Sequence, residues 1–168
     1  MENKPNQIIW HHTGVQSANR QADGVNTSHK KRGFPKSSLG FYGGYHVLIE
    51  RDGGVVQFRE DNEIGAHVKH HNINSLGIGM SGNFNVEKPS AAQAIAFIKV
   101  LADWSKAYGI SPRKILPHRE LSATDCPGTL MDDKWATALL RLGSTLSIRE
   151  SLIDIFEYAI EKLNAPPR

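Results

Sequence analysis

An α/β fold in a single domain is predicted by three observations. Residues 8–10, Ile8-Ile9-Trp10, form a consecutive apolar run that reads as a strand covered on both faces. Residues 90–109 carry the start signal, apolar spacing and stop signal of an amphipathic helix. Further short β-branched runs alternate with helical ones along 168 residues, a length whose prior is one domain with its own core. At 39% hydrophobic and 22% charged residues the chain falls in the globular class, not the disordered one.

The elements follow in order. The first strand is expected over 7–12, and 15–24 is polar and loop-like. A short helix is expected over 25–32, stopped by Gly33 and Pro35. A Gly- and Ser-rich loop covers 35–44. Residues 45–51 alternate in polarity, Asp52-Gly53-Gly54 makes a hairpin turn, and 55–59 return as the partner strand. In the strand expected over 75–81, Gly77 and Gly79 share one face and Leu76, Ile78 and Met80 the other. Small residues on one face let another group approach closely.

Ser90 and Gln93 form a capping box for the next helix. Ala94, Phe97, Ile98, Leu101, Trp104 and Tyr108 are its apolar stripe, and Gly109 ends it. Residues 111–128 read as a loop with one short strand, and 132–142 as helical. A last helix is expected over 148–163, capped by Ser147 and Glu150 and stopped by Ala165-Pro166-Pro167. Its broad stripe (Ile148, Leu152, Ile155, Phe156, Ala159, Leu163) suits docking on its own domain or, as a homodimer, on a second copy.

Net charge is +3 with a pI near 9.0, a mild excess that suits an anionic polymer without selecting one. The basic run His29-Lys30-Lys31-Arg32 reads as a solvated helix face. No basic stripe interleaved with aromatics accompanies it, so a nucleic-acid partner is not expected. No stretch is long and apolar enough for a membrane span. Residues 1–7 are polar with no apolar signal core, so synthesis in the cytoplasm without a signal peptide is expected, with any outside substrate reached by another route.

The chemistry-bearing residues are few. Cys126 is the single cysteine, which excludes an intramolecular disulfide and leaves packing, reactivity or metal ligation. It lies in Thr124-Asp125-Cys126-Pro127-Gly128, a polar turn and not an apolar run. His118 precedes it by eight positions, and His11-His12-Thr13 ends the first strand. Two imidazoles and one thiolate suffice for a zinc site with its fourth position open. Alternation allows only one of His11 and His12 to face a given site and does not say which. The same residues also admit a thiol hydrolase with Cys126 as nucleophile and a His as base.

Four segments, in order, carry a resemblance. They are Ile8-Ile9-Trp10-His11-His12-Thr13; Gly44-Tyr45-His46-Val47-Leu48-Ile49 with the Asp52-Gly53-Gly54 turn; Ile64-Gly65-Ala66-His67 with Asn72, Asn74 and Ser75-Leu76-Gly77-Ile78-Gly79; and Pro117-His118-Arg119 through Thr124-Asp125-Cys126-Pro127-Gly128. Over roughly residues 8–142 the chain resembles the zinc-dependent N-acetylmuramoyl-L-alanine amidases of the type 2 amidase family. These include bacteriophage amidase-type lysozymes and are similar to peptidoglycan recognition proteins.

The resemblance implies a central mixed sheet with helices on both faces, as a catalytic domain over 1–144 with a helical extension over 145–168. It implies Zn2+ held by His11, His118 and Cys126, with His12 turned away. It places Tyr45 at the family's catalytic tyrosine and Thr124 where some phage relatives carry a Lys. His67, Asn72 and Asn74 match the stretch along the substrate groove. The implied reaction is hydrolysis of the amide between N-acetylmuramic acid and L-alanine in peptidoglycan or a muropeptide. The alternative is a binding module of the same fold that does not cut. Recognition proteins that bind without cutting resemble this chain with Ser in place of Cys126, so the thiol favours an enzyme.

Overall fold

The computed structural model describes residues 2–16 and 20–139. The extension expected over 145–168, with its apolar stripe and the dimer proposed through it, lies outside the described residues.

Among the described residues five strands form one mixed sheet: β1 (Gln7–His12), β2 (Val47–Ile49), β3 (Val55–Gln57), β4 (Ser75–Met80) and β5 (Ile115–Pro117). Their spatial order is β3-β2-β4-β1-β5. β1 runs parallel to both neighbours, β2 is parallel to β4, and only the β2–β3 hairpin is antiparallel. Trp10 pairs with Ile78 and with Pro117, so the chain leaves β1 and β5 side by side at their carboxyl ends. That edge is where parallel α/β sheets place their ligands.

The two sheet faces differ in size of residue. Ile8, Trp10, Val47, Ile49, Leu76, Ile78 and Met80 join the core under α2 (Ala91–Tyr108), with Phe97 and Leu101 fully buried. Trp10, Phe97 and Trp135 form an aromatic centre, the last two stacked at 5.1 Å. Helix α2 starts on the expected box: Ser90 Oγ accepts from Gln93 N, and Gln93 Oε1 accepts from Ser90 N. Gly109 ends it in the left-handed conformation at φ 63°. The opposite face is stripped to glycine at 77 and 79, which opens it to side chains from the loops.

Helix α1 (Ala22–Lys31) begins three residues before the expected start. Its cap comes from far along the chain. The buried carboxylate of Glu50 accepts from Gln21 N and Ala22 N, and from the hydroxyl of Ser81. An acceptor beyond β2 leaves no local capping signal at residues 19–22. The helix expected from 132 is helical at 135–139 among the described residues. No helix among the described residues is long and apolar enough to cross a membrane.

Candidate metal centre

Three side chains converge at the carboxyl ends of β1 and β5. Ligand-capable atoms of His11, His118 and Cys126 all lie within 4.8 Å of one another. His11 is the fifth residue of β1 and 2% exposed, and His118 follows β5 directly. The rings of these two sit 4.5 Å apart between centroids. Cys126 Sγ lies 3.7 Å from His11 Nδ1. Alternation turns His12 to the other side, where its Nδ1 accepts from Phe84 N at 3.0 Å.

The loop bearing Cys126 is held by its neighbour in the motif. Arg119 N donates to Cys126 O at 2.8 Å, and the Arg119 guanidinium donates to the carbonyls of Gly128 and Met131. Arg119 also pairs with Asp133 at 3.1 Å. Gly128 has φ 117°, and a Cβ there would stand 2.4 Å from the Phe84 backbone, so only glycine brings the loop this close. Thr124 is exposed, and its Oγ1 accepts from Cys126 N at 3.2 Å. The grip of Arg119 was not readable from its position beside His118, which is equally compatible with a surface residue.

Tyr45 stands beside His11, with ring centroids 5.1 Å apart. Alternation extended from Val47 would put Tyr45 on the α2 face. The strand starts at Val47, however, and bends at 44–46 turn the ring to the His11 face. There it covers Gly79, where a Cβ would lie 2.6 Å from Tyr45 Cδ2.

His67, expected along the groove, has its ring against His11: Nδ1 lies 3.1 Å from His11 Nε2. Asn72 Oδ1 accepts from His67 N and Val68 N and so shapes this turn. Asn74 adopts φ 66° just before β4, and its N–H donates to Asn3 Oδ1. Ser75 pairs with Gln7 and Gly79 with His11, so Asn74 lies at the end of the sheet away from the three donors.

Burial keeps the imidazoles of the site neutral. Burial, reinforced by neighbouring imidazoles, holds His11 and His67 well below the usual imidazole range, and burial lowers His118. Burial pushes the Cys126 thiol up to about 11 and raises the Tyr45 phenol further above its ordinary value. Neutral imidazoles are ready ligands. To ligate a cation the thiol must lose its proton to solvent, which a divalent ion at the site would favour.

The donor types suit zinc, and one pair of them already stands at the separation zinc requires. Bonds of about 2.3 Å to sulfur and about 2.0–2.1 Å to nitrogen at a tetrahedral angle place S and N about 3.6 Å apart. The observed separation is 3.7 Å. Imidazole with thiolate also selects zinc over the oxygen-seeking cations.

Fold and donors together define an α/β domain with three ligand-capable side chains gathered at the carboxyl ends of its parallel strands. Residues 1–129 match the family described as N-acetylmuramoyl-L-alanine amidase, and the chain belongs to that family. It is 32% identical over 123 residues to peptidoglycan-recognition protein SC2 of Drosophila melanogaster, covering 72% of this chain and 67% of the fly protein. The fold matches the N-acetylmuramoyl-L-alanine amidase LysC from Clostridium intestinale with a TM-score of 0.72 and 28% identity, covering 83% and 87% of the two chains. It also matches a complex of peptidoglycan recognition proteins LCa and LCx with tracheal cytotoxin bound, at a TM-score of 0.66 and 26% identity over 78% and 81%. The mixed α/β sheet and the family implied by the four motifs are those of the folded chain.

Proposed function

We propose that this protein is a zinc-dependent enzyme hydrolysing the amide between N-acetylmuramic acid and L-alanine in peptidoglycan. The observation that carries this reading is the convergence of His11, His118 and Cys126 within 4.8 Å, a complete ligand set with a thiol in third place. Relatives named as recognition proteins suggest the rival reading, a module that binds without cutting. The presence of all three donors favours the enzyme.

Zinc, when bound by His11, His118 and Cys126, supplies the Lewis acidity that polarises an amide carbonyl and acidifies water. The chain's own groups do the rest. The Tyr45 phenol, raised by burial, stays protonated at neutral pH and serves as a hydrogen-bond donor, not a base. Its ring is held by His11 and Gly79, so the donor is fixed before substrate arrives. Thr124 Oγ1 accepts from Cys126 N and keeps its own hydroxyl hydrogen free to serve as the second donor. Each such donor to a developing oxyanion is worth about 2.7–4 kcal/mol of barrier.

The test combines metal analysis with mass spectrometry of products released from purified cell wall, with and without chelator. Expected are one zinc per chain and release of peptides with free L-alanine amino ends that stops on metal removal. Wall binding without release would establish the binding module. Release that survives metal removal would establish a thiol hydrolase.

A further inference from the structure

The far side of His11 is as ordered as the side that meets Cys126. The rings of His11 and His67 meet edge to face, 5.2 Å between centroids, with His67 Nδ1 3.1 Å from His11 Nε2. Beyond it, His67 Nε2 lies 3.3 Å from Ser75 Oγ. Ser75 Oγ in turn lies 2.6 Å from the carbonyl oxygen of His71.

That last contact fixes the direction of all the others. A carbonyl oxygen only accepts, so the one hydrogen of the Ser75 hydroxyl goes to His71. The Ser75 oxygen is then an acceptor toward His67, which therefore carries its hydrogen on Nε2. The lone pair of His67 is left on Nδ1, so His11 must carry its hydrogen on Nε2. The lone pair of His11 is left on Nδ1, the nitrogen 3.7 Å from the Cys126 sulfur. The opposite tautomer of His11 would put a hydrogen where the ion has to bind and would leave two lone pairs facing each other at His67.

We propose that His67 and Ser75 are positioning residues: a two-step relay, anchored on the His71 carbonyl, that locks His11 in the one tautomer and ring angle able to ligate a metal through Nδ1. The proposal rests on the zinc reading above.

The fold builds a slot for the relay. A Cβ at Gly77 would stand 2.7 Å from His67 Cδ2, so the glycine of β4 is what lets the ring lie flat against the sheet. Asn72 Oδ1 holds the backbone N–H groups of His67 and Val68 at 2.8 and 2.9 Å and sets the direction from which the ring enters. The hydrogen bonds span 56 and 8 positions of sequence, so the relay ties β1, the 67–72 turn and β4 together behind the ligand.

An imidazole acceptor has a chemical consequence that a carboxylate would not. It orients the ligand without adding negative charge to a centre that already contains a thiolate. An ion held there would keep more of its Lewis acidity.

The test is ring-nitrogen NMR of the metal-free protein, with chelator-competition zinc titrations of His67→Phe, His67→Asn and Ser75→Ala. The spectra are expected to show the Nε2–H tautomer at both His11 and His67, and a growing Nδ1–H population at His67 in Ser75→Ala. His67→Phe, with no acceptor, is expected to bind zinc about 10–100-fold more weakly. His67→Asn, whose Oδ1 takes the place of Nδ1, is expected to recover most of that loss. An Nδ1–H tautomer at His11 in the wild type, or equal zinc affinities in the Phe and Asn variants, would overturn the relay. Those readouts are independent of the amidase reading. The expected tautomers and affinities in a protein that cuts no wall would keep the relay and remove the activity, and the reverse result would do the opposite.

Discussion

Cys126 Sγ and His11 Nδ1 lie 3.7 Å apart across 115 positions of chain. The contact places the only thiol of the protein opposite the one histidine of the His-His pair that faces inward. The loop is held there by main-chain and Arg119 contacts that do not involve the sulfur. Cys126→Ser is therefore expected to keep the fold and lose the metal. Zinc content measured on the purified variant should drop from about one per chain to near zero, because a serine hydroxyl does not ionise at neutral pH. Cutting should vanish with it. A variant that retains stoichiometric zinc would remove Cys126 from the ligand set.

Tyr45→Phe separates the phenol from its ring. The ring packing on His11 and Gly79 remains. Zinc content and unfolding temperature should stay near wild type, while kcat on a muropeptide falls about 10²–10³-fold, the usual cost of one oxyanion donor. Unchanged turnover would exclude the hydroxyl from the chemistry.

Gly79→Ala tests the same ring from beneath. Its Cβ would lie 2.6 Å from Tyr45 Cδ2, 2.8 Å from Cε2 and 3.0 Å from Leu48 Cδ1. Tyr45 has to move, so turnover should fall together with about 1–3 kcal/mol of stability from overpacking. Gly24→Ala is the control. No atom stands within 4 Å of that Cβ in α1, and a gain of about 0.5–1 kcal/mol is expected in denaturant melts. Equal effects of the two substitutions would contradict the close approach of Tyr45.

What the chain states locally could be read from it. The Ser90–Gln93 box, the Asp52-Gly53-Gly54 hairpin and the Gly77/Gly79 face need only neighbours within a few residues, and each appears where the pattern puts it. The start of α1 could not be read, since its cap is Glu50, 28 positions beyond Ala22. Nor could the side to which Tyr45 turns, because it stands just outside β2, where alternation no longer holds. His67 looks like a groove residue in sequence, and only the parallel pairing of β1 with β4 brings its turn behind His11. Ser75 and Arg119 stand in the quoted motifs, but their contacts could not be read for the same reason: their partners are set by the sheet and by the loop return, not by spacing.

His29 gives the fold an acid limb that can be measured away from the metal centre. It is the one buried residue of α1, and its Nδ1 accepts from Gly44 N at 2.9 Å. Its ring packs on Phe34 and Tyr45. Burial, then the positive charges of Arg32 and Arg59, lower its pKa to about 4. An unfolded histidine titrates near 6.5. Above about pH 6.5 both states are neutral and His29 adds no pH dependence. Between about 6.5 and about 4 the unfolded chain takes up a proton that the folded chain refuses. Stability therefore falls as pH falls through that window, with a slope from this residue of at most about 1.4 kcal/mol per pH unit. His11, His12, His46, His67 and His118 are lowered too and act with the same sign, so the wild-type limb alone does not isolate His29. His29→Asn does, because Asn Oδ1 can accept from Gly44 N and cannot be protonated. Urea unfolding of the metal-free wild type and variant should differ by a constant amount above pH 6.5. Below it the wild type should lose stability faster. A difference that stays flat down to pH 4.5 would mean that His29 takes a proton in the folded state as readily as in the unfolded one, and that burial and the nearby arginines do not keep it neutral.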